Sequence, residues 1–113
     1  MERDVLHKIL EALVLLDVWC WRTNSGVARG ANGARIRLAP KGTPDILGAL
    51  SSGRMFGLET KDPEGKKSDQ QLTEAQLTWR SRAQARGVRH ARTLSVEEAV
   101  EAIKAWEKLD ARP

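Results

Sequence analysis

The chain has a single cysteine, Cys20, in 113 residues. One thiol excludes an internal disulfide and a zinc site built on several cysteines, and it suits a reducing compartment. Long apolar runs are also missing. No stretch reaches the ~20 residues a helix needs to cross a bilayer. The most apolar segment, residues 13–20, is interrupted by Asp17 and lacks the flank of a signal peptide. The two histidines, His7 and His90, have no partners at metal-ligand spacing and read as surface residues. There is no internal repeat and no linker-like stretch. These absences point to one soluble, intracellular domain with no membrane contact.

What is present suffices for a genuine core. A hydrophobic share of 41% in a chain of this length supports a single domain over residues 1–113. The net charge of +4 favours an anionic partner without naming one.

Periodicity gives the elements. Leu6, Ile9, Leu10, Leu13 and Leu16 recur at helical spacing and predict a helix over residues 3–17. Residues 18–22 read as a strand, with Trp19 and Trp21 on one face and Val18, Cys20 and Arg22 on the other. The glycine-rich residues 24–34 read as a flexible, exposed loop carrying Arg29, followed by a short strand over 34–38. Pro40 and Gly42 mark a turn. Two strands, 45–50 and 54–61, flank the hairpin turn at Ser51-Ser52-Gly53. Residues 62–71 read as a polar, mobile loop. A helix opens at Thr73 and stops at Gly87, a strand covers 88–94, and a last helix runs from Ser95 to about Leu109. Helix, strands, helix, strand, helix implies an α/β fold with a mixed sheet flanked by helices.

The chemistry concentrates in Gly42-Thr43-Pro44-Asp45 and Gly57-Leu58-Glu59-Thr60-Lys61. In a strand, residues i and i+2 share a face, so Glu59 and Lys61 project together while Thr60 points away. Two acids and a lysine on one patch suit metal-assisted phosphodiester hydrolysis. Carboxylates hold a hard divalent cation through oxygen, and an ammonium can steady the attacking water or the charge on the phosphate. A surface ion-pair cluster is the plainer reading of the same residues.

Together with Trp21-Arg22-Thr23-Asn24-Ser25-Gly26, Leu72-Thr73-Glu74-Ala75-Gln76, Gly87 and Ser95-Val96-Glu97-Glu98, these motifs resemble the VRR-NUC nucleases of the PD-(D/E)XK superfamily, in family order along nearly the whole chain. The stand-alone length is similar to phage and prophage members. The resemblance implies a restriction-endonuclease-like core, Mg2+ or Mn2+ as cofactor, and a DNA endonuclease acting as a homodimer on branched DNA in the manner of Holliday junction resolvases. Such a protein would work in the cytoplasm of a bacterial or phage-infected cell. Carried over by motif, Asp45 and Glu59 are metal ligands, Thr60 adds its backbone carbonyl, and Lys61 is the catalytic lysine. Gln76 matches the glutamine that opens the following helix. Glu2 fits the family's first-helix acid, with Glu11 as the alternative. This chain carries Thr60 where the family often has valine.

Local chemistry offers competing roles. Gln76 also completes a capping box with Thr73, and Glu2 could complement a helix dipole. Trp19 and Trp21 suit a core or an interface better than stacking on unpaired bases. Trp79 and Trp106 suit core or dimer contacts, and Cys20 a small buried hydrophobe. Arg22, Asn24, Arg29, Arg35, Arg37 and Lys41 before Asp45, with Lys66 and Lys67 after Glu59, flank the motif with positive charge suited to phosphate contact. Nothing resembles a base-reading helix. The competing functions are a non-catalytic nucleic-acid-binding module, an exonuclease or flap nuclease of the same superfamily, and a protein-interaction domain.

Overall fold

A computed structural model describes residues 2–23, 27–37 and 39–111, without the side chains of residues 2, 3, 27, 28 and 37. Among the described residues the order is α1 (Glu2–Leu15), β1 (Trp19–Arg22), β2 (Val27–Arg29), β3 (Arg35–Arg37), β4 (Ile46–Ala49), β5 (Met55–Thr60), α2 (Glu74–Ala85), β6 (Arg89–Thr93) and α3 (Val96–Asp110). The fold is mixed α/β. Four strands form one sheet in the order β1-β4-β5-β6, and β2 and β3 pair separately. The first three strands of the sheet run antiparallel, and β6 joins β5 in parallel. A parallel neighbour requires a crossover, which α2 supplies.

Helix α1 puts Leu6, Ile9 and Leu13 on its buried stripe and ends where Asp17 takes the left-handed conformation at φ 61°. The Val18 N–H then returns to the Leu13 carbonyl. In α3, Ala99 and Ile103 face inward, and the Ser95 hydroxyl accepts the Glu98 N–H at the helix start. These two helices meet Ile46, Leu50, Phe56 and Leu58 in one core, with the Trp106 ring tilted against Phe56. Asp110 fastens the end of α3 to the sheet through Arg89 at 2.8 Å and Arg54 at 3.3 Å.

Residues alternate faces along a strand. Phe56 and Leu58 face α1 and α3, so Gly57 and Glu59 face the other side, where α2 lies. Helix α2 reaches that side through Gln76, bonded to Glu59, and through Trp79, whose ring is tilted against His90 with centroids 5.8 Å apart.

Several expectations are corrected. Residues 24–34 are not wholly loop: β2 lies within them and pairs with β3, Arg29 directly opposite Arg35. Residues 62–71 form a polar loop as expected, and it carries internal hydrogen bonds. The Gln70 side-chain amide donates to the carbonyls of Asp62, Pro63 and Gly65, each at 3.1 Å. His90 is a buried residue, 7% exposed, not a surface one. It pairs with Gly57 beneath α2, where a polar-looking strand turns one histidine inward. Trp19 is 70% exposed and Trp21 42%, so neither belongs to this chain's core. Cys20 is half-buried against the core, which pushes its thiol pKa up.

Candidate active site

Asp45 immediately precedes β4, whose first residue Ile46 pairs with Leu58. It therefore lies beside Glu59, on the face opposite Ile46 and Leu58. Its Oδ2 accepts the Thr60 N–H at 2.8 Å, so the backbone of β5 orients the carboxylate. Oδ1 forms no hydrogen bond among the described residues. Thr23 holds the same segment from β1: its N–H donates to the Asp45 carbonyl at 2.8 Å, and its hydroxyl bonds the Pro44 carbonyl.

Two glycines permit this geometry. Gly42 adopts φ +88°, and a Cβ there would stand 2.2 Å from the Ala75 carbonyl oxygen. Only glycine lets this turn lie against the first turn of α2. A Cβ on Gly57 would stand 2.7 Å from Cγ of Pro44, so the bare strand receives the proline ring. The turn is closed by Thr43, whose N–H and hydroxyl both reach the Pro40 carbonyl.

Glu59 is 3% exposed. Its Oε1 accepts from Nε2 of Gln76 at 2.9 Å. The Gln76 carbonyl oxygen meanwhile accepts the Thr73 N–H at 2.8 Å, and the Gln76 N–H donates to the Thr73 hydroxyl at 3.2 Å. Cap and site contact are therefore the same side chain. The cap occupies the carbonyl oxygen, which leaves the amide nitrogen to face the carboxylate. Lys61 is 8% exposed and shares the face of Glu59, and no ion pair of the described residues includes it. The Thr60 side chain is fully buried on the opposite face.

The donor set is hard oxygen: two carboxylates and nearby backbone carbonyls. This suits Mg2+ or Mn2+, which take one or two carboxylates and complete their shell with water and phosphate. No group of three or more His, Cys, Asp or Glu side chains converges among the described residues. The Glu2 side chain lies outside them, whereas Glu11 is exposed on α1.

The basic residues divide. Arg29 and Arg35 are exposed on the β2–β3 hairpin. The hairpin is inserted between Thr23 and Ala39, so it springs from the rim of the site. Lys41 is exposed in the turn that meets α2, and Lys66 and Lys67 are exposed in the turn over 66–70. Arg22 pairs with Ile46, which sets it on the α1 side of the sheet, away from Asp45. Asn24 and the Arg37 side chain lie outside the described residues.

Thr23 stood inside the Trp21-Arg22-Thr23-Asn24-Ser25-Gly26 motif without an assigned role, and two further contributors lay outside the motifs. Gln70 and Arg92 are joined by a bond from Arg92 Nη1 to the Gln70 carbonyl at 3.1 Å, and Arg92 is the strand partner of Glu59. That pairing depends on the β5–β6 register, which no local pattern signals. No family model matches this chain, and no curated protein or solved structure matches it. The helices found are too short and polar to cross a membrane.

Proposed function

We propose that this chain is a divalent-metal-dependent DNA endonuclease with a restriction-endonuclease-like core, of the VRR-NUC type. The observation that carries this reading is the placing of Asp45 and Glu59 side by side at one sheet end. The first is oriented by the Thr60 amide and the second by Gln76. Two acids beside a buried lysine are costly to hold apart from water unless a cation compensates them.

Asp45 and Glu59 would hold one or two Mg2+ or Mn2+ ions, with the Thr60 carbonyl within the same strand end. A bound cation there lowers the pKa of its water and offsets charge on the scissile phosphate. Lys61 orients the attacking water or meets the charge that grows on the phosphoryl oxygens. Gln76 fixes the Glu59 carboxylate and keeps it from rotating away. The hairpin arginines support a nucleic-acid substrate. Arg29 and Arg35 stand opposite each other, a like-charge pair that is unfavourable until an anion lies across it. With no base-reading element, selectivity comes from backbone and shape, as on a branched junction.

The test is incubation with labelled junction, flap, duplex and single-stranded DNA, with and without Mg2+ or Mn2+. Metal-dependent cutting, strongest on the junction, is expected. Glu59→Ala and Lys61→Ala should each lower the cleavage rate at least 100-fold while circular dichroism stays unchanged. Wild-type rates in either variant would remove the assignment. Binding without metal-dependent cutting would make the protein a nucleic-acid-binding module.

A further inference from the structure

A second basic locus lies beside the site. A shallow cavity of about 500 Å³ is lined by Lys67, Arg80, Arg92, Gln70, Gln71 and the leucines Leu72 and Leu77, with three cations and no acid among the described residues. Its members come from three places. Arg80 sits on α2 one turn beyond Gln76, on the same helical face. Arg92 is the strand partner of Glu59. Lys67 belongs to the turn that Gln70 closes, and that turn is tied to Arg92 through the Gln70 carbonyl. The cavity is therefore one helical turn and one strand away from the Glu59–Gln76 bond. Each of those steps is about 5 Å. A B-form strand rises about 3.4 Å per nucleotide, so this offset corresponds to one or two nucleotides.

The positive charge here has a fixed frame. Gln70 spends its amide on three backbone carbonyls, and Arg92 spends one nitrogen on the turn. The remaining guanidinium and ammonium donors line the cavity with no acid among its described lining residues. Exposed Leu77, at 50%, offers an apolar wall suited to a deoxyribose.

We propose that Lys67, Arg80 and Arg92 form a subsite for a backbone phosphate one or two nucleotides from the scissile one, on the strand being cut. This rests on the nuclease reading and extends it to a second contact on the same strand. The subsite sets the register of that strand in the site and reads no base.

The experiment measures binding of fluorescein-labelled junction DNA by anisotropy in Ca2+, across a salt series, with cleavage in Mg2+ followed in parallel. Arg92 is left intact because it holds the turn. Arg80→Gln and Lys67→Gln should each weaken binding several-fold. Each should also lower the slope of log K against log salt by about 1. Arg80→Lys, which keeps the charge, should retain the slope. A neutral methylphosphonate placed one or two nucleotides from the cut should weaken wild-type binding and leave Arg80→Gln unaffected. If wild type binds and cuts but Arg80→Gln and Lys67→Gln match its slope, the subsite is overturned and the nuclease reading stands. If wild type binds no DNA at low salt, both are overturned.

Discussion

Gln76 shows how one side chain can serve the fold and the site together. Its carbonyl oxygen caps α2 through the Thr73 amide, and its nitrogen holds Glu59. The two roles separate by mutation. Thr73→Ala removes one half of the capping box and should cost about 1 kcal/mol, with the Glu59 contact left in place. Gln76→Ala should cost a similar amount and also free the carboxylate. Urea melts of the two variants should therefore agree within a few tenths of a kcal/mol. Metal-dependent cleavage should fall at least tenfold in Gln76→Ala and stay within about twofold of wild type in Thr73→Ala. Equal activity in both would reduce Gln76 to a cap. The sequence carries the Thr73–Gln76 spacing openly, and both readings follow from it. That they coexist depends on where β5 delivers Glu59, which is a tertiary fact.

At the scale of elements, the packing of α2 on the sheet depends on a neutral histidine. His90 lies under Trp79 with neither ring nitrogen hydrogen-bonded among the described residues. Burial, with the nearby Arg80 charge, lowers its pKa from 6.5 to about 4. Above pH 6.5 the imidazole is neutral in both folded and unfolded chains and contributes no pH dependence. Between pH 6.5 and about 4 the unfolded chain takes up the proton first, so stability falls with pH. Below about 4 the folded state protonates as well and the loss stops growing. The total is about 2 kcal/mol once water screening of the Arg80 charge is allowed for. His90→Phe keeps the ring contact and removes the titration. Between pH 7 and pH 4.5 wild type should lose about 2 kcal/mol more in urea melts than this variant. Parallel losses would show that His90 carries none of the acid sensitivity. The strand itself was legible from residues 88–94, as were the three helices and the β4–β5 hairpin, because periodicity and turn residues are local signals. The fate of His90 was not, since Arg89, His90 and Arg92 together look solvated. Only α2 above the sheet distinguishes the inward histidine from Arg89, which turns to Asp110. Strand β2 was hidden for another reason. Three residues among glycines give no alternation to read, and among the described residues its strand partner is β3.

At the scale of the molecule, β1 is an edge of the sheet, and its outer face is apolar. Trp19 and Trp21 meet edge to face at 5.3 Å, and they pair with Ala49 and Leu47 on β4. Met55, opposite Ala49 and 42% exposed, extends the patch. Helix α2 packs on β6 and reaches β5 through Gln76, and among the described residues Trp19, Trp21 and Met55 stay exposed on the other half of the sheet. The two indoles expose roughly 250 Å². Burying that surface is worth about 6 kcal/mol per protomer, before the cost of association. As the end strand of the sheet, β1 could pair with its two-fold copy and set two sites on one assembly, as paired cuts across a junction require. We therefore expect the chain to sediment as a dimer at micromolar concentration, and Trp19→Lys with Trp21→Lys to sediment as a monomer. The monomer should still bind DNA but lose coordinated cutting of the two junction strands. A variant that stays dimeric while losing preference for unpaired DNA would assign the tryptophans to base stacking instead. A wild-type monomer that cuts only at linear ends would replace the endonuclease proposal with an exonuclease, with one site per molecule.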